Sequence, residues 1–399
     1  MEIEPSPPAP PDSRPPWHRQ PWLFGASVGV FLAVLLVLAG RFLPPRTATQ
    51  DTRPWSLAYG LYWKSYDDQT LKAEPGVPNP YYDPHRPTLI YVHGWQPETR
   101  GRRESLVWQH NDFEADLAAP WLDAGWNVGV FYWDQFADEP LVMDAEAKIW
   151  TTTGGAGMRY RLPSGRYVRR DVDRSVGGLL YESYTAVLAD YTGDEIRLVG
   201  HSMGNQLVVQ LSEQVVTAVS AGELNPRLAP QRVILADPYW SLGERDFLGG
   251  QSVGQRVREA IVNELIPRGV LVEWYRSSYL TGAVTSDVNT ELIPHVLFAE
   301  MRPYFCHSFD QVCRHEASWH QYLLSYGTEP PPECAAEPKG LLAPCVATGR
   351  RVLLARQSAD EVAARMAEPA VWVQVAGPTH TAVDGRFTPP VADDWYERL

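Results

Sequence analysis

The sequence predicts an α/β protein: a mostly parallel central sheet flanked by helices and preceded by an N-terminal membrane segment. Three features carry that reading. From about residue 54 onward, short β-branched or aromatic runs alternate with longer amphipathic stretches, the rhythm of strand–helix–strand units. One such run, residues 196–199, passes through Gly200-His201-Ser202-Met203-Gly204 straight into an amphipathic stretch, which reads as strand, sharp turn and helix. Residues 23–40 form 18 uncharged positions between Trp22 and Arg41, the length a membrane helix needs.

Residues 1–22 are crowded with proline, which blocks regular structure, and are expected to be a Pro-rich disordered tail. Residues 23–40 read as a transmembrane signal anchor, with a signal peptide cleaved near Val37-Leu38-Ala39 as the competing reading. Arginines flank both ends, Arg14 and Arg19 against Arg41 and Arg46, so the positive-inside rule does not orient the segment. The cysteines do. Cys306, Cys313, Cys334 and Cys345 cluster late in a chain with an export-type segment, which predicts disulfides and a single-pass protein whose folded domain is periplasmic or extracellular. Of three connectivities, 306–313 with 334–345 is the simplest. Zinc competes, because His307 and His315 lie close by, but no C-x-x-C spacing is present.

The folded part is expected over 54–349. Strands are predicted at 88–92, 127–133, 196–199, 233–236 and 270–274, and helices at 104–117, 176–191, 203–220, 253–265 and 317–326. Residues 136–174 break the alternation as an insertion, with a hairpin over 159–168 turning at Ser164-Gly165. Residues 350–399 add one helix, a strand-like 371–375 and an Asp384-Gly385 turn, a C-terminal appendage too short for a large second domain. Lys and Arg total 35 against 48 Asp and Glu, and the net charge of -13 opposes phosphate-backbone binding, which removes nucleic acid from the partners. Oligomeric state is not legible.

Within this frame, Ser202 sits at the apex of the strand-to-helix turn, where glycines at 200 and 204 allow the close approach that exposes a hydroxyl. A hydroxyl attacks only when a base takes its proton, so an acid and a histidine should follow in the order Ser, Asp or Glu, His. Asp237, in Ala236-Asp237-Pro238, ends a strand at the sheet edge where ligands bind; Asp287 is the alternative. His315 is the favoured base, placed in a loop leading into a helix, against His295, His307, His320 and His380. The oxyanion that forms needs donors. The backbone N–H groups of Met203 and of Trp95, the latter after a strand ending His93-Gly94-Trp95, are the candidates.

These residues resemble the pancreatic-lipase-like branch of the α/β-hydrolase fold over roughly residues 54–327. His93-Gly94-Trp95 matches that group's oxyanion strand, residues 200–204 its nucleophile elbow, and Asp237-Pro238 its acid after the strand that follows the elbow helix. Cys313-x-His315, followed by Ser318, Trp319 and Tyr322, matches its catalytic histidine context. The resemblance implies a serine hydrolase acting on a small-molecule or lipid carboxylic ester through an acyl-enzyme, with no metal and no cofactor. Two departures limit it. Six residues between Cys306 and Cys313 cannot form the long lid of those lipases, and the tail after 350 cannot hold their C-terminal β-sandwich, so triacylglycerol is not implied. A non-catalytic binding module of the same fold, and a hydrolase of thioesters or amides, are the competing functions.

Overall fold

The computed structural model describes residues 58–97, 103–110, 113–162, 164–169, 172–282, 285–307, 309–336, 345–352, 354–368, 370–376 and 394–399. The expected membrane segment at 23–40, the tail before it and the Asp384-Gly385 turn lie outside them. Among the described residues no helix is long and apolar enough to cross a membrane.

Twelve strands form the main sheet: β1 (Gly60–Lys64), β2 (Thr70–Lys72), β3 (Thr88–Val92), β4 (Asn127–Tyr132), β5 (Ile196–His201), β6 (Arg232–Ala236), β7 (Leu271–Arg276), β8 (Leu297–Glu300), β9 (Pro332–Ala336), β10 (Cys345–Arg351), β11 (Trp372–Ala376) and β12 (Asp394–Arg398). Their order is β10-β9-β12-β11-β8-β7-β6-β5-β3-β4-β1-β2. From β4 through β3, β5, β6, β7 and β8 to β11 every pairing is parallel, and β1 and β2 add antiparallel edge strands. This is the mostly parallel sheet with flanking helices that the alternation predicts.

The central strands are largely apolar because both of their faces are covered, with Arg197, Arg232 and Glu273 as buried exceptions. Alternation sorts their side chains between two cores. Ile90, Val92, Leu198, Val233 and Leu235 pack with α2 (Val176–Val187) and α3 (Gly204–Ser220). Leu89, Tyr91, Val199 and Ile234 face the opposite core, which contains Trp121, Trp319, Tyr322 and Val362 from the short helix α1 (Ala119–Asp123), α4 (Gln311–Leu324) and α5 (Ala359–Met366).

Three expectations need correction. Residues 104–117 are not a helix: Val107–His110 and Phe113–Asp116 pair as an antiparallel hairpin. The period is two there, with Leu106 and Trp108 buried, and Trp108 packs edge-on against Phe113 at 5.0 Å. The helix expected from residue 317 begins at Gln311, because Asp310 caps it by accepting from the Cys313 N–H at 3.1 Å. Residues 350–399 do not stand apart from the sheet. β11 pairs parallel with β8 and antiparallel with β12, so the tail extends the same sheet. The hairpin of the insertion is present as Arg159–Arg161 paired with Tyr167–Arg169.

Candidate active site

The site is built where parallel pairing aligns strand ends. Val92 of β3 pairs with Gly200 of β5, while His201 of β5 pairs with Ala236 of β6 and Ala236 with Tyr275 of β7. The residues that follow, Gly94, Ser202, Asp237 and Ser277, therefore emerge at one carboxyl edge.

Ser202 occupies the turn between β5 and α3 with φ 53°, the left-handed region that non-glycine residues rarely adopt. The turn is held from three sides. Ser202 donates its N–H to the Ala236 carbonyl at 3.1 Å, and its own carbonyl accepts from the Tyr239 N–H at 3.2 Å and from Asn205 Nδ2 at 2.9 Å. Gly204 must lack a side chain, since a Cβ there would lie 2.1 Å from the Val92 carbonyl oxygen. Met203, buried, is the residue from which α3 starts.

Asp237 is fully buried at the end of β6. Its Oδ1 accepts from the backbone N–H groups of Ser277 at 2.8 Å and Ser278 at 3.2 Å and from Thr281 Oγ1 at 3.3 Å; its Oδ2 accepts from Ser278 Oγ. Oδ2 also meets His315 Nδ1 at 2.6 Å. Burial pulls the His315 pKa down, but the hydrogen bond and charge of Asp237, with the Glu316 charge behind them, outweigh it and hold the imidazole above its ordinary value. Asp287 lies elsewhere: its N–H donates to the Trp240 carbonyl at 2.8 Å and its carboxylate accepts from the Asn289 N–H at 2.9 Å.

His315 is carried one turn into α4 and not on a loop before it, which corrects the expectation. The helix is tied down by a bond between Cys306 and Cys313, so these sulfurs cannot serve as zinc thiolates. Cys334 is also disulfide-bonded, and no free cysteine occurs among the described residues. The side chain of Cys345, its expected partner, lies outside them. Of the other histidines, His320 stacks on Trp108 at 4.9 Å and burial pulls its pKa down to about 3, so it stays neutral in the core. His295 is exposed, and His380 is outside the described residues.

The segment His93-Gly94-Trp95 lies against the elbow. A Cβ on Gly94 would approach Ser202 Cβ to 2.6 Å, so only glycine lets the loop pass this close. His93 fixes the loop from below. Its Nε2 accepts from the Trp133 N–H at 3.1 Å, which leaves Nδ1 to donate to the Gly94 carbonyl at 2.9 Å. Desolvation lowers its pKa to about 3, as a ring that must accept at Nε2 requires. Trp95 anchors outward, its Nε1 donating to the Glu139 carbonyl at 2.7 Å.

A group that sequence reasoning missed lies directly behind. His201 and His315 approach with ring centroids 4.5 Å apart, and His201 Nε2 donates to the His315 carbonyl at 3.2 Å. Glu104 and Glu316 join His201 with their ligand-type atoms within 4.8 Å of one another, the one set among the described residues that could hold a metal ion. Both carboxylates are held above their ordinary range, first by burial; for Glu104 the Glu316 charge adds to it. Neutral donors already occupy them: Tyr91 Oη and Gln96 Nε2 on Glu104, and Trp319 Nε1 on Glu316. That fits a pair sharing protons as well as it fits a cation. No local motif marks it, since the segment ahead of the hairpin, the end of β5 and α4 contribute one member each.

A hydroxyl on a strained turn, a buried carboxylate and an imidazole locked to that carboxylate are the parts that nucleophilic acyl transfer uses. No family model matches the chain, and no curated protein matches it. Among solved structures, a thioesterase domain from the curacin biosynthetic pathway aligns at 12% identity over 61% of this chain and 92% of that one, with a TM-score of 0.31. An acylaminoacyl peptidase of Pyrococcus horikoshii aligns at 11% identity over 67% of this chain and 41% of that one, TM-score 0.31. A lipase/esterase from Lactobacillus plantarum aligns at 13% identity over 66% and 95%, TM-score 0.27. Likenesses at that level carry no argument about this chain, whose case rests on its own geometry.

Proposed function

We propose that this chain is a serine hydrolase of the α/β-hydrolase fold, in the manner of the pancreatic-lipase-like branch, cleaving a carboxylic ester through an acyl-enzyme. The 2.6 Å contact between His315 Nδ1 and Asp237 Oδ2, beside a serine at φ 53°, supports it most directly. Because Nδ1–H donates to Asp237, Nε2 is the ring nitrogen free to act as base. Ser202 Oγ attacks the ester carbon while His315 Nε2 takes its proton, and the Met203 and Trp95 N–H groups receive the oxyanion. The imidazolium then protonates the departing alkoxide. Water, deprotonated by the same Nε2, releases the acid and restores Ser202. No cofactor or metal enters these steps.

For location, the reading is a single-pass membrane protein with this domain outside the cytoplasm; the Cys306–Cys313 bond supports an oxidising compartment. A fluorophosphonate probe should label wild type at Ser202 and leave Ser202→Ala unlabelled. Graded p-nitrophenyl esters and thioesters then rank the acyl group and the bond. An unlabelled, well-folded wild type would turn the reading to a binding module of the same fold.

A further inference from the structure

Against the loop that holds Asp237 lies a cavity of about 310 Å³, far above the roughly 10–15 Å³ that one water requires. Three arginines line it, Arg276, Arg302 and Arg314, with one carboxylate, Glu300. Glu300 is already engaged: one oxygen faces Arg276 Nη2 at 3.0 Å and the other faces Arg302 Nη2 at 3.6 Å. Arg314 is not. Its Nε is buried without a hydrogen-bond partner, and it takes part in no ion pair among the described residues. Three cations against one anion leave the cavity two positive charges in excess, and a buried guanidinium donor without an acceptor is costly unless a ligand supplies one.

We propose that this cavity is an oxyanion-binding site that takes a phosphate group, free or as the head of a phosphomonoester, with Arg314 as its inner ligand and Arg276 and Arg302 at its mouth. A guanidinium presents paired N–H donors that match phosphate oxygens, and a dianion balances the excess charge. The site adjoins the proposed active centre without belonging to it. Ser277 and Ser278 line the cavity and also give their N–H groups to Asp237, and Ser277 Oγ donates to the Arg314 carbonyl at 2.6 Å. Filling it therefore stiffens the loop that holds Asp237.

The test is calorimetric titration and thermal melting of the full chain with inorganic phosphate, against chloride at matched ionic strength. Phosphate should bind saturably and raise the melting temperature. Arg314→Gln should weaken binding by roughly 10- to 100-fold, the loss of one charge-assisted contact, and Arg302→Gln by less, since Arg302 is half-exposed and shared with Glu300. Ser202→Ala should bind as wild type does, which separates this site from the proposed chemistry. Glycerol 1-phosphate is the second arm: tighter binding than phosphate marks a phosphorylated molecule as the ligand, weaker binding marks the free ion. A shift no larger than that of chloride, or equal affinity in wild type and Arg314→Gln, would overturn the proposal.

Discussion

Asp237→Asn separates chemistry from stability at the proposed site. Asp237 Oδ1 accepts two backbone N–H groups and the Thr281 hydroxyl, so an asparagine keeps its carbonyl oxygen there and turns its amide toward His315. The side chain still fits, but a donor now faces Nδ1. The imidazole must then carry its proton on Nε2, the nitrogen needed as base, and it cannot accept from Ser202. Loss of the correct tautomer should cost about 10⁴ in kcat, which is about 5.4 kcal/mol of barrier. Stability should fall by only about 1–1.5 kcal/mol, the difference between a charged and a neutral hydrogen bond. The pH dependence gives a second readout. In wild type the His315 pKa lies above its ordinary value, so the acidic limb of kcat/KM should fall above about pH 6.5 and move down in the variant. By linkage, a folded pKa raised above the unfolded one adds stability that is complete below the unfolded value and lost as pH rises through the folded one. The stability deficit of Asp237→Asn should thus widen as pH is lowered across that window. The assays are p-nitrophenyl ester turnover from pH 5 to 9 and thermal melts at the same pH values. Activity within tenfold of wild type, or an equal loss in Asp287→Asn, would refute the assignment.

Gly94→Ala should lower kcat by on the order of 100-fold, because the added methyl meets Ser202 and displaces either the hydroxyl or the loop; unchanged turnover in a folded variant would remove this loop from the site. Reducing the Cys306–Cys313 bond should slow turnover before the sheet melts, since Cys313 and His315 share the first turns of α4, and circular dichroism alongside the rate distinguishes the two losses. Soluble short-chain esters should be hydrolysed with no steep rise at the solubility limit, because six residues between those cysteines cannot hinge over a cleft. A jump at that limit would instead make the 136–174 insertion a cover.

The central strands were legible because strands covered on both faces show as short, largely apolar runs, and all five expected runs differ from the observed strands by two residues or fewer at either end. Ser202, Asp237 and His315 were legible for another reason: each is flanked by residues that its local geometry demands, glycines at the turn, a strand end, a cysteine in the helix. What failed lacked such a local signature. Trp108 and Phe113 belong to a hairpin whose apolar spacing over a short stretch imitates a helix. In the tail, the strand-like 371–375 is β11, whereas β12 is recognisable only through the sheet edge it joins. Glu104 and Glu316 meet through tertiary packing alone, and a single glutamate in a sequence reads as surface.

The chemistry of this site follows from the handedness and direction of its strands more than from any one residue. Four neighbouring parallel strands, β3, β5, β6 and β7, end in register, and each contributes one part: the Gly94 loop, the Ser202 turn, the Asp237 carboxylate and the Ser277 and Ser278 donors that hold that carboxylate. An antiparallel neighbour would have sent one of these loops to the opposite edge. Only the imidazole arrives from outside the sheet, and it is the part with the most restraint: a capping aspartate, a disulfide, a carboxylate at Nδ1 and a carbonyl bonded to His201. A group delivered by a separate helix has no strand register to position it, so local bonds must. That predicts an asymmetry between the two kinds of position. Substitutions that loosen α4, such as Asp310→Ala at its cap, should lower kcat while leaving the stability of the fold within about 1–2 kcal/mol of wild type, whereas truncating Val199 to alanine should cost stability first. Equal stability losses from both, with no selective effect on kcat at Asp310, would show that the helix is set by the core and that the cap and the disulfide are incidental.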